Sequence, residues 1–387
     1  MIINANKLIH SMFKVTFFCA FLLSDLYYSG VGRIFDYLTV ILLVLLLHGV
    51  PMRLISYILM IRTFPLFLFS IGGIIIGLYS GFIPISIGLI IGILIILPIS
   101  QILVISYDRA LLENTIYLVL MISIVLFLFQ FLMFYITGTY IDFSSIFGSI
   151  SSRGNNESLA YFRAHGIFQE PNMYCSATFC LLALCKFFTT RRRNLENLAC
   201  ITMIISLSLW GILGGIILLI ALNQAFRSFL FILILSFVFL VSMYFFSINF
   251  NELADTSVTV NRLMNLQEDP SYVGRVSSLQ NIKSNSELIF GSGVSSSDFQ
   301  ERYGANAISF LLSSFGLFFV MLMLIYTFWV TKFSIWSLVV LTYLFVTFPL
   351  FSYAYFWIWF GLLIGLARGR TQNLRPLKKF YRINHKY

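Results

Sequence analysis

A chain of 387 residues with 59% hydrophobic and only 10% charged residues is not composed like a soluble domain, in which about a quarter of residues are charged. No soluble fold of this length hides so much Phe, Leu and Ile, so the composition predicts an all-α polytopic integral membrane protein, one membrane domain over residues 1–387. The net charge of +10 does not indicate a nucleic-acid partner: Lys and Arg gather at the ends of apolar runs, most densely at Arg191–Arg193 and from Arg368 to Lys386, which is the positive-inside distribution.

At roughly 20 apolar residues per crossing, spans are predicted near 12–29, 34–50, 64–81, 84–106, 115–137, 172–189, 229–248 and 306–330. Lys7 and Lys14 ahead of the run Val15–Leu23 resemble a signal peptide. Asp25, Tyr27 and Tyr28 stand where small cleavage-site residues belong, so the run reads as an uncleaved first span. The stretches 197–225 and 333–367 are each too long for one ordinary helix and short for two. Reading each as a hairpin of short helices puts Arg191–Arg193, Arg227, Lys332 and Arg368 on one side. The result is about twelve transmembrane helices, both termini in the cytoplasm and a basic cytoplasmic tail over 368–387. In this arrangement 18 of the 25 Lys and Arg are cytoplasmic, while of the 15 acidic residues only Asp108, Glu113 and Glu196 join them.

Within the spans, Gly73, Gly77 and Gly81, and again Gly88 and Gly92, repeat every fourth residue, a spacing for close helix packing. Pro98 is expected to kink the fourth span, and Tyr353, Tyr355, Trp357 and Trp359 read as interface anchors. Cys19, Cys175, Cys180, Cys185 and Cys200 include no Cys-x-x-Cys pair and read as apolar filler. No metal and no cofactor are expected.

Polar sequence concentrates in outer loop one (138–171) and outer loop two (249–305), which open on the same face. Long loops of this kind are usually functional. In loop one, Glu170-Pro171-Asn172 reads as a helix start, because proline is tolerated at the first helical position. The helix entered there would present its N-terminus outward, an anion site, with Arg163 and His165 able to fold over it. A guanidinium suits a diphosphate; equally, Arg163 pairs with Glu157 or Glu170 to fix the loop. In loop two, Gly274-Arg275 followed by Val276, Leu279 and Ile282 reads as a short amphipathic surface helix, with Arg275 in a first turn that disfavours a cation. Asp298, Glu301 and Arg302 read more readily as a solvated polar edge than as a site.

Arg163-Ala164-His165-Gly166 through Glu170-Pro171-Asn172 resembles the Arg-x-x-Gly-x-Phe-x-x-Pro-Asn segment of the O-antigen ligase and polymerase superfamily. Ser206-Leu207-Ser208 is similar to that family's next landmark, and Gly274-Arg275 with Glu287–Gly293 to its second-loop pattern. Where ligases of the superfamily carry a His, this chain has Ala305, followed by Asn306 and Gly316 at the expected spacing; the polymerase branch is therefore preferred over the ligase. The resemblance implies a GT-C-like fold and metal-independent, inverting polymerisation of undecaprenyl-diphosphate-linked oligosaccharide units. It places the reaction at the outer face of the bacterial inner membrane, with a chain-length regulator as protein partner. It makes Arg163 and Arg275 the stabilisers of the leaving diphosphate, Glu170 the first choice of base ahead of His165 and Asp298, and Asn172, Gly274, Asp298, Arg302 and Asn306 candidate substrate contacts. The rivals are a ligase and a transporter of lipid-linked sugar. No internal repeat supports the transporter.

Overall fold

The computed structural model describes residues 5–26, 28, 33–48, 50–68, 71, 90–148, 163–222, 289, 307–331, 334–347 and 353–369. The described chain is helical. Helix α1 (Ala5–Phe18) runs on through a π turn at Cys19–Leu23, and α2 is Ile34–Leu46. Helix α3 (Met52–Tyr57) continues as a π segment over Ile58–Thr63. A third π segment (Gly92–Ile96) leads into α4 (Leu97–Ser106), and α5 is the long helix Arg109–Thr137. After the single turn α6 (Phe143–Ile146) come α7 (Pro171–Cys185), α8 (Arg193–Ile205) and α9 (Leu209–Leu222). The last three are α10 (Ala307–Val330), α11 (Ile335–Thr347) and α12 (Ala354–Gly369).

Both ambiguous stretches divide into two helices. The first turns at Ser206–Ser208 between α8 and α9, and the second divides into α11 and α12. The region around 52–63, expected as a connection, is helical instead. It carries an unbroken run of helix formers and no Gly or Pro after Pro51. Pro98 has no N–H to give to Leu94, and the turns just before it form the π segment Gly92–Ile96. The predicted span 229–248, loop two apart from Ile289 and the tail beyond Gly369 lie outside the described residues, as do Gly73, Gly77, Gly81 and Gly88.

Side-chain contacts fix the direction of the helices. At one end, Glu113 of α5 accepts the backbone N–H of Thr189 (2.7 Å) and Thr190 (3.2 Å), both threonine hydroxyls, and Arg109 Nε (3.0 Å). Close by, Tyr117 and Arg191 both donate to Glu196, and Arg191 Nη1 also donates to the Leu222 carbonyl (2.8 Å). Tyr107 Oη donates to Leu46 O (2.9 Å), and Trp336 Nε1 donates to Ala183 O (3.1 Å). This basic end holds the start of α5, α8 and α11 and the finish of α2, α4, α7 and α9. The opposite, acidic end holds Asp25, Arg33, residues 138–142 and 163–172, Ser206–Ser208 and Tyr353.

Three of the four aromatic residues expected at an interface are in the core, while Tyr353 is half-buried. Tyr355, Trp357 and Trp359 are buried; Tyr355 Oη shares a hydrogen bond with Ser176 Oγ (2.9 Å), and Trp357 lies against Gly92, where a side chain would collide with it. Helix α12 crosses α4 so closely that a Cβ on Gly361 would sit 2.6 Å from the Leu97 carbonyl, so Gly361 with Gly365 is a small-residue packing seam.

Apolar side chains also point outward in ordered stripes. On α5 these are Met121, Val125, Phe129, Leu132 and Ile136, and on α10 Phe318, Met321, Ile325 and Trp329. A water-soluble bundle puts its polar face there. Helix α5, at 29 residues, is long and apolar enough to cross a membrane; at 1.5 Å per residue it is about 43 Å long.

Candidate functional site

The site grows from the start of α7. Glu170 is its N-cap residue in extended conformation, and Pro171 occupies the first helical position, where a missing N–H leaves no bond unmade. The Glu170 carbonyl accepts Met173 N–H (3.0 Å) and Tyr174 N–H (3.3 Å). One position on from Pro171, Asn172 Oδ1 accepts the hydroxyl of Ser208. Ser208 in turn caps α9, its Oγ accepting Gly211 N–H at 3.3 Å. Cys175 Sγ meets Ser206 Oγ at 3.1 Å, and Leu207 between the two serines adopts the left-handed conformation (φ 54°) that a tight turn demands. The hairpin tip is thus bolted onto the first turn of α7.

Loop one is held over the same point by a buried amide. Gln130, near the acidic end of α5, accepts the N–H of His165 (2.8 Å) and of Gly166 (2.9 Å) on Oε1, and donates from Nε2 to Ile141 O (2.8 Å). It thereby acts as a piece of backbone between the two halves of the loop. Gly166 has φ 63°, and a Cβ there would meet the Phe127 backbone at an ordinary 3.5 Å, so it is the left-handed turn and not a lack of room that favours glycine. His165 is only 3% exposed, and its Nε2 shares a hydrogen bond with Tyr140 Oη (3.2 Å). Burial holds its pKa below the ordinary imidazole value, a shift opposed by the Phe168 backbone and Asp142 and reinforced by Arg163. At working pH the ring is neutral. Asp142 caps α6 through Ser144 N–H (2.9 Å), which fixes the strand of loop beside Tyr140.

Arg163 is half-buried, with its guanidinium in electrostatic reach of both His165 and Cys175. Glu170 is also half-buried and interacts electrostatically with Asp25. Four predicted residues, Arg163, His165, Glu170 and Asn172, therefore share one end of the bundle with the Ser206–Ser208 turn. Gly274, Arg275, Asp298, Arg302 and Asn306 lie outside the described residues.

Sequence reasoning missed Gln130, Tyr140, Asp25 and Tyr353. Gln130 is the sole amide in an otherwise apolar run from Ile116 to Ile136, which was a signal. Asp25 figured only as a residue standing where a cleavage site would be. Among the described residues no three His, Cys, Asp or Glu side chains are placed to hold a metal ion. Comparison with family models, curated proteins and solved structures finds no match to this chain.

Proposed function

We propose that this protein is a membrane-embedded polymerase of undecaprenyl-diphosphate-linked oligosaccharide repeat units. In this reading it crosses the bacterial inner membrane about twelve times, with the basic end cytoplasmic and the acidic end outside. Outward apolar stripes on α2, α5 and α10 face lipid, as Tyr37, Ile41 and Val44 do on α2.

One observation carries the proposal. Two separate stretches that resemble the superfamily, Arg163–Asn172 and Ser206–Ser208, meet through the Asn172–Ser208 hydrogen bond at the mouth of α7. Chance similarity in two unrelated stretches gives no reason for them to touch. The chemistry available there suits the reaction. A sugar hydroxyl of one lipid-linked unit attacks the anomeric carbon of the growing chain; the bond from that carbon to the diphosphate oxygen breaks, and undecaprenyl diphosphate leaves. Charge building on the diphosphate faces the Arg163 guanidinium and the positive end of α7, with Arg275 as the proposed second cation. The hydroxyl proton passes to a base. Glu170 fits better than His165, because His165 is buried and bonded to Tyr140. Ala305 in place of the ligase His favours polymerase over ligase.

The test is complementation of a strain lacking its own polymerase, with the polysaccharide read as a ladder on a gel. Wild type is expected to restore the ladder, while Arg163→Ala and Arg275→Ala at matched expression leave a single repeat. A ladder present without the protein, but joined to its final carrier only when it is added, refutes polymerase in favour of ligase.

A further inference from the structure

Asp25 stands just after the π turn that ends α1 and is 5% exposed. Its Oδ2 accepts the backbone N–H of Gln169 at 2.8 Å, and its Oδ1 accepts Tyr353 Oη at 3.2 Å. Those partners come from the last residues of loop one and from the entrance to α12. Arg33, which interacts electrostatically with Asp25, lies over the Tyr353 ring (3.8 Å to the centroid) and pairs with Asp36 (3.7 Å), whose Oδ1 accepts Ala354 N–H at 3.4 Å. A chain of contacts therefore runs from α2 through Tyr353 and Asp25 to the residue immediately before Glu170.

Burying a carboxylate is costly unless its oxygens are satisfied, and an apolar residue of similar size generally packs as well. What the carboxylate supplies here and an apolar residue does not is a fixed acceptor for one specific N–H. That N–H belongs to the peptide leading into the α7 N-cap, so its anchoring sets where Glu170 and the first turn of α7 stand relative to Arg163. We propose that Asp25 is a positioning residue for the site at the mouth of α7, clamping the Gln169–Glu170 end of loop one to the ends of α1 and α12. This inference rests on the polymerase reading for its kinetic consequence, but not for the clamp itself.

The experiment uses the full-length protein purified into lipid nanodiscs, as wild type, Asp25→Asn, Asp25→Leu and Tyr353→Phe. Amide hydrogen exchange is followed in the peptide spanning 163–175, and turnover is measured with lipid-linked repeat units. Loss of hydrogen bonds to a charged acceptor is expected to speed exchange at Phe168–Glu170 by roughly 10- to 100-fold in Asp25→Leu. It should lower kcat by a similar factor with KM within about 2-fold, because geometry rather than substrate affinity is lost. Asp25→Asn retains an acceptor for Gln169 N–H and should recover most of both. Should Asp25→Leu fail to accumulate, Tyr353→Phe, which removes only the 3.2 Å bond, carries the same test with a smaller effect. Unchanged exchange in the variants overturns the clamp. Faster exchange with unchanged kcat reduces Asp25 to a purely structural role and overturns the positioning claim. If wild type itself does not elongate the repeat units, the polymerase reading falls, and the exchange data alone decide the clamp.

Discussion

Gln130→Met keeps the length and most of the volume of the side chain while deleting all three of its hydrogen bonds, to His165 N–H, Gly166 N–H and Ile141 O. Gln130 is fully buried, and His165 and Gly166 are buried with it, so water cannot step in as partner. Each orphaned group costs about 1–3 kcal/mol, so in the lower half of that range the three together put the local loss at roughly 3–6 kcal/mol. Packing changes little, since swaps that conserve volume generally cost under about 1.5 kcal/mol. The loss should appear in loop one rather than across the whole bundle, as hydrogen exchange in 163–170 faster by about 100- to 10,000-fold. Gln130→Glu is the informative control. Burial favours its protonated form, which keeps an acceptor for the two N–H groups and an O–H for Ile141 O, so its loop should remain mostly protected. Exchange in Gln130→Met within about 3-fold of wild type, in protein that accumulates normally, would falsify this account of loop one. The loop would then be held by Asp25 and Tyr140 instead.

Two further outcomes are expected. Gly211→Ala places a Cβ 2.7 Å from the Met203 carbonyl and 2.9 Å from Ser206 Oγ. Overpacking of about 1–3 kcal/mol exceeds the propensity gain of about 1 kcal/mol, so thermal unfolding in detergent should shift down; an unchanged midpoint means that α8 and α9 have room to part. His165, neutral in the fold, has its pKa depressed by burial from the ordinary value of 6.5. The unfolded loop therefore binds the proton more readily, so the stability contribution is whole above about pH 6.5 and is lost as the pH falls through the folded value. Protection of loop one should weaken as the pH falls below about 6.5, and His165→Gln should flatten that dependence. A profile that is the same in both proteins assigns the pH effect elsewhere.

Hydropathy alone located most of the helices, because an apolar run long enough to form one is written locally. It divided the two ambiguous stretches correctly only with the help of charge: Arg191–Arg193 and Arg227 on the same side required an even number of passes between them, and the turn at Ser206–Ser208 supplies the return. The proline before Asn172 likewise marked the start of α7 to the residue. These are features whose causes lie within a few residues of their effects.

Facing and partnership were not legible in the same way. Trp357 and Trp359 looked like boundary residues, yet both are buried against neighbours that include Gly92 for Trp357. In a chain this apolar, the side facing other helices and the side facing outward have similar composition, so periodicity does not separate them. The bonds that shape the site span still greater distances: Gln169 N–H reaches Asp25 across 144 positions, and Tyr353 reaches it across 328. No local pattern encodes such a pairing. The sequence by itself determined a helical, strongly apolar chain with its polar residues saved for two loops and one basic side. Only the tertiary structure decided that Gln130, Asp25 and Ser208 converge on the first turn of α7, because a buried polar group takes as partner whatever packing brings to it.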